Sequence, residues 1–160
     1  MKREKFLWPL TQGHHRALVA ARNIRDRLTR LNDGEKAPLL ALSQKVADLF
    51  AMDLDSHFRG EEEELLKIFE KHVGPNDPDI KKILDDHQTI RTLSKSAVKK
   101  DLQLFADTLT AHIRFEEDVF FPRVEKTLTT EEKTIETERL LPYKPSETHA
   151  PTPVDKKIGK

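Results

Sequence analysis

Apolar residues recur every three or four positions along this chain, and four stretches keep that period long enough to predict helices. The first runs from about Pro9 or Thr11 to Leu31, with Leu10, His14, Ala17, Leu18, Ala21 and Leu28 on one face. Asn32, Asp33 and Gly34 then stop it, because glycine and asparagine suit the left-handed cap of a helix. The second runs from about Pro38 to Lys71, lined by Leu42, Val46, Leu49, Phe50, His57, Glu61, Leu65 and Ile68. Gly74-Pro75-Asn76-Asp77-Pro78 breaks it. The third is expected from about Asp79 to Lys99, with Ile80, Ile83, Leu84, His87 and Val98 inward. The fourth is expected from near Asp101 to about Lys126, with Leu102, Phe105, Leu109, His112, Glu116 and Val119 inward. Short connections between long helices imply antiparallel neighbours, so the expected fold is an all-α, up-down-up-down four-helix bundle. Thr129-Thr130-Glu131-Glu132 opens a short C-terminal helix to about Leu141. The bundle domain is therefore placed at residues 1–141, and 142–160 is read as an extended tail containing Pro145, Pro151 and Pro153.

Polar residues interrupt these stripes in an ordered way. One histidine falls on each helix: His14 (or its neighbour His15), His57, His87 and His112. His14 shares its register with Leu10, Leu18 and Ala21, whereas His15 shares it with Arg22, so His14 is preferred. Two histidines begin the same pattern, His57-x-x-x-Glu61 and His112-x-x-x-Glu116. Four residues is about one helical turn, so each pair shares a face. Depth supplies a second test, since residues equidistant from a turn lie level in antiparallel helices. The point midway between His14 and His57 falls beside Glu35. That between Arg59 and His87 falls at Val73, and that between His87 and Arg114 at the Lys100/Asp101 junction. All three lie at or beside predicted breaks. His14, His57, Glu61, His87, His112 and Glu116 are thus expected in one layer.

Composition decides what such a layer is for. The chain has no cysteine, so any metal is held by nitrogen and oxygen, and iron–sulfur or thiolate zinc sites are excluded. Lys plus Arg and Asp plus Glu both number 28, giving zero net charge and no global field to recruit nucleic acid or anionic membrane. No apolar run is long enough to span a bilayer and no signal-like segment follows Lys2, Arg3 and Lys5, so the cytoplasm is the expected location. Unpaired buried carboxylates cost several kcal/mol each, on the order of what a bound cation offsets. Two divalent ions bridged by two glutamates keep surplus positive charge, which favours a hydroxide, an oxide or an exogenous anionic ligand. Imidazole with carboxylate suits iron, manganese or zinc. Glu62, Glu63, Glu117 and Asp118 are read as solvated outer-face residues, the first two paired with Lys67 and Lys71; His72 and His149 are read as structural or exposed. Arg91, one turn after His87, is placed to hold an anion. Phe50, Phe58, Phe105, Phe115, Phe120 and Phe121 flank the motifs and provide a dry shell.

Leu10-Thr11-Gln12-Gly13-His14-His15, His57-Phe58-x-x-Glu61-Glu62, and His112-Ile113-Arg114-Phe115-Glu116-Glu117 running to Phe121-Pro122 together resemble the hemerythrin-like, or HHE cation-binding, family over about Leu10 to Glu125. The resemblance implies a four-helix bundle with a non-haem pair of iron ions joined by an oxo or hydroxo bridge. His14, His57, His87 and His112 would be terminal ligands, and Glu61 and Glu116 the bridges. The implied functions are sensing, scavenging or storage involving dioxygen, nitric oxide, peroxide or iron. The alternatives are a di-iron peroxidase, nitric-oxide-handling or iron–sulfur-repair enzyme, and an interaction module with a structural metal pair. Oxygen-carrying hemerythrins have a second histidine one turn along the third helix, where this chain has Arg91, and an aspartate where it has Glu117. Reversible oxygen carriage is therefore not carried over. The bacterial repair proteins add a cysteine-containing N-terminal segment, and this chain has no cysteine. Ferritin-like sites use Glu-x-x-His, a spacing found on none of the four core helices.

Overall fold

The computed structural model describes residues 2–32 and 34–145. All regular structure among them is helical. Helix α1 is Trp8–Arg30, entered through a 3-10 turn at Lys5–Leu7. Helix α2 covers 36–73, α3 is Pro78–Leu93, α4 covers 99–127, and α5 is Thr130–Leu140. Gly34, within the first connection, and Gly74, at the start of the second, both take positive φ, a conformation that favours glycine. Asp77 caps α3 by accepting from the backbone N–H groups of Asp79 and Ile80, with Pro78 at the first helical position. Thr129 and Glu132 form a reciprocal capping box at the start of α5, the short helix that these residues are expected to open.

The third helix ends earlier than its periodicity suggests. Ser94 Oγ bonds the Arg91 carbonyl, and Ser96 Oγ accepts from Val98 N–H and donates to Asp101. These hydroxyls satisfy backbone that would otherwise continue the helix. The connection is therefore 94–98, Val98 is 58% exposed within it, and α4 begins at Lys99. The level point expected at Lys100/Asp101 thus lies in the first turn of α4 rather than in the link. Leu84 is also outside, at 43% exposure, because α3 buries a narrow stripe of Ile80, Ile83, His87 and Ile90.

Helices α2 and α4 are not uniformly α-helical. Wide π turns occur at Phe50–Leu54, Glu61–Leu65 and Glu116–Phe120. Each takes up one extra residue, so Leu66 N–H reaches the Glu61 carbonyl and Phe121 N–H reaches that of Glu116. The inward face then advances by one position. Val119, expected inside, is 48% exposed, and Phe120 and Phe121 are buried in its place.

Two apolar cores result, one on each side of a polar level. Leu10, Leu65, Phe69, Ile83, Phe120 and Leu140 belong to the first, and Ala17, Leu54, Phe58, Ile90, Phe105 and Ile113 to the second. On α1 and α3 the chain passes from one core to the other at a buried histidine, His14 or His87, and on α2 and α4 at a buried glutamate, Glu61 or Glu116. Helix α1 packs chiefly on α4, and so does α3, while α5 lies against Lys5–Leu7 and Glu61–Leu65. Leu141–Tyr143 forms a last 3-10 turn, so the chain is not extended from Pro142 as expected, and the rest of that tail, 146–160, lies outside the described residues. No described helix is long and apolar enough to cross a membrane.

Candidate metal centre

The four helices bring His14, His57, His87, His112, Glu61 and Glu116 to that polar level, all buried and none above 6% exposure. All six residues chosen from the sequence come together. His15, the rival on α1, is exposed. The carboxylates divide their oxygens between two histidine pairs. Glu61 Oε1 lies 2.8 Å from His57 Nε2 and 3.6 Å from His14 Nε2, while its Oε2 lies 3.0 Å from His87 Nε2. Glu116 Oε2 lies 2.9 Å from His14 Nε2, and its Oε1 lies 3.3 Å from His112 Nε2. Two quartets follow, His14–His57–Glu61–Glu116 and Glu61–His87–His112–Glu116, each with its ligating atoms within 4.8 Å of one another.

These short distances are mostly not hydrogen bonds. The Nε2 atoms of His14 and His57 and all four oxygens of Glu61 and Glu116 are buried without a hydrogen-bond partner. Their lone pairs converge on shared points instead of on each other. Two ligands each about 2.1 Å from one ion, at a right angle, stand about 3.0 Å apart. Most of the observed spacings cluster around that value, as does the 3.2 Å between His87 Nε2 and His112 Nε2. Orphaned buried donors and acceptors, nitrogen and oxygen only, at coordination-edge spacing, fit a pair of cations.

Outer contacts orient the rings. His14 Nδ1 meets Glu117 Oε1 at 2.7 Å, His87 Nδ1 meets Glu62 Oε1 at 2.7 Å, and His112 Nδ1 meets Asp86 Oδ2 at 3.3 Å. An Nδ1–H donated to a carboxylate fixes the tautomer that leaves Nε2 free to ligate. Glu62 and Glu117, expected on the solvated face, therefore belong to the site's surroundings; Glu63 and Asp118 are exposed. The doubled Glu61-Glu62 and Glu116-Glu117 carried the signal: neighbours about 100° apart on a helix aim one inward and one toward the adjoining helix. Asp86, beside His87, is marked by no spacing or repeat in the sequence. Arg91 ion-pairs with Glu62 at 2.9 Å and lies over the Phe58 ring, so it braces an outer carboxylate. His72 pairs with Glu132 at 2.8 Å, and His149 lies outside the described residues. Phe58 stacks on His87 at 3.8 Å and Phe121 on His14 at 5.2 Å, which covers one face of each ring.

Without cations, protons take over their role. Burial opposes a charge on His14, but Glu116, Glu117 and Glu61 outweigh it and raise its pKa well above 6.5. Burial likewise opposes His87, yet Glu61 and Glu62 raise it to about 9. Burial would push Glu61 up, but His57, His14 and His87 hold it well below 4.5. A cavity of about 240 Å³ reaches this level beside His14 and His57.

The family model described as hemerythrin HHE cation binding domain matches residues 10–124, and the chain belongs to that family. No curated protein and no solved structure matches the chain. Membership of a cation-binding family and the two His/Glu quartets agree on metal binding as the chemistry of this level.

Proposed function

We propose that the chain holds two iron ions, one between His14 and His57 and one between His87 and His112, bridged by Glu61 and Glu116. The observation that carries this reading is the sharing of both carboxylates by two histidine pairs. Each position offers two nitrogens and two oxygens, so an ion that prefers six ligands keeps room for a small exogenous one. Bound iron would supply redox chemistry toward dioxygen, nitric oxide or peroxide, and the role is that of a sensor, scavenger or iron store in the cytoplasm. The short connections favour the up-down-up-down order, which sets all six ligands at one depth.

The chain's own residues do the rest. Glu61 and Glu116 set the spacing of the two ions and neutralise half of their charge. Glu117, Glu62 and Asp86 hold three of the imidazoles in the ligating tautomer. Phe58 and Phe121 exclude water from the ring faces. Metal analysis after anaerobic ferrous loading is expected to give two ions per chain, with near-ultraviolet absorption on oxidation that zinc or manganese does not reproduce. Fewer than two ions per chain would sink the reading. Loss of optical response to azide or nitric oxide would favour a purely structural metal pair, and turnover of peroxide or nitric oxide with a reductant would favour an enzyme.

A further inference from the structure

The two halves of the site are related by an approximate repeat of roles. His14 on α1 corresponds to His87 on α3, and His57 on α2 to His112 on α4. Glu62 bonds His87, and Glu117 bonds His14 in the same way. Asp86 precedes His87 and bonds His112. The residue at the matching place, before His14, is Gly13. It has no side chain, and a Cβ there would lie 2.9 Å from His57 Nδ1. His57 Nδ1 is accordingly buried with no partner, alone among the four Nδ1 atoms. The cavity opens on this half only, lined by Gly13, His14 and His57 but not by His87 or His112.

A short strap covers it. The Tyr143 ring lies so close to the backbone of Gly60 that a Cβ there would sit 2.7 Å from Tyr143 Cγ, and the Tyr143 hydroxyl donates to Glu63 at 3.3 Å. Pro145 reaches over Gly13 on the same side. Tyr143 and Pro145 line the cavity, and both lie beyond the 10–124 span matched by the family model.

Resting on the metal pair proposed above, we infer that the two positions are unequal: the His14–His57 position exchanges its ion with solvent, through the cavity that Tyr143 and Pro145 cover. Loss of one outer partner weakens metal affinity by about 10–100-fold, and His57 lacks the partner its three counterparts have. The ion there is held less firmly and is also the one with an exit. The ion at His87–His112 has both rings braced and does not border this cavity.

The test is metal release. Full-length protein loaded with ferrous iron under argon is first shown to hold two ions, then mixed with excess ferrous chelator and followed by absorbance. Two phases of equal amplitude are expected, separated by roughly 10–100-fold in rate. His57→Ala should retain the slow phase alone. Tyr143→Ala and Gly60→Ala should quicken the fast phase several-fold and leave the slow one unchanged. Gly60→Ala raises intrinsic helix propensity and displaces the Tyr143 ring without removing it, and its unchanged slow phase shows that Glu61, which serves both ions, has not moved. Asp86→Ala should quicken the slow phase only. A single phase from protein holding two ions overturns the inference and leaves the metal pair standing. Quickening of both phases alike by Tyr143→Ala and Gly60→Ala, or an unchanged slow phase in Asp86→Ala, overturns it too. Fewer than two ions in the unaltered protein overturns the metal pair itself.

Discussion

The polar level through His14, His57, His87 and His112 is held together differently from the two apolar cores that enclose it. The cores gain from burial directly: Phe105, Leu109 and Ala106 on one side, and Leu10, Ile83 and Val124 on the other, are fully buried among apolar neighbours. The level gains nothing from burial by itself. Its two carboxylates and four imidazoles lose water, and six of their ligating atoms find no hydrogen bond in return. The cores are therefore expected to be indifferent to metal, and the level to depend on it. That contrast is open to test.

Metal removal is expected to have the largest effect. Each ion held at a thousand times its dissociation constant stabilises the native state by about 4 kcal/mol, so two give roughly 8 kcal/mol. For a domain of this size that corresponds to a drop in Tm of about 15–30 °C on chelation. Thermal unfolding followed by circular dichroism, with and without chelator, measures it. Equal melting temperatures would erase the distinction between level and core.

Next in size is a lesion in the core. Phe105 is 0% exposed in the second core, about two helical turns before His112. Phe105→Ala is expected to cost about 3–5 kcal/mol. The cost should be the same for loaded and stripped protein, and the metal content should not change. Denaturant titration of both forms checks this, and a loss of bound metal in the variant would show the two regions to be coupled.

The pH dependence sharpens the contrast further. In the metal-free chain His87 titrates near 9 against 6.5 when unfolded. A pKa raised by folding gives stability that is complete below 6.5 and is lost as the pH climbs through about 9. Metal acts in the opposite sense, because Nε2 must be deprotonated to ligate and affinity rises with pH. The gap in Tm between loaded and stripped protein is therefore expected to widen from about pH 6 to about pH 9. A gap that narrows over that interval would mean that protons do not substitute for cations at this level.

The six residues of the level were legible in the sequence because histidines in apolar stripes and a repeated one-turn His–Glu spacing select the same positions; the level points add less, since one of the three falls inside α4. The helical class was legible for the same reason. What the period missed traces to backbone adjustments that carry no residue signature. A π turn at Glu116–Phe120 moves the buried position from Val119 to Phe120, and nothing in Glu-Glu-Asp-Val-Phe announces it. The early end of α3 was written in Ser94 and Ser96, but hydroxyls reveal a cap only when their partners are known. Glu62 and Glu117 were visible as doubled glutamates. Their contact with histidines of the adjoining helices depends on how far those helices slide past one another, which the pattern of one helix does not contain.

The smallest expected effect lies at His15, next to a proposed ligand. His14 and His15 differ by one position, about 100° around α1. That rotation takes the ring from a site 2% exposed, bonded to Glu117 and facing Glu61 and Glu116, to open solvent. His15→Ala is expected to change stability by no more than about 0.5 kcal/mol and to leave two ions per chain. His14→Ala should empty its position and lower the metal count. Measured side by side, the pair isolates inward direction from residue type, since both variants lose the same imidazole from the same turn of the same helix. If His15→Ala released metal, the level would extend past the ring of residues that the apolar stripes enclose, and its boundary with the cores would have to be redrawn.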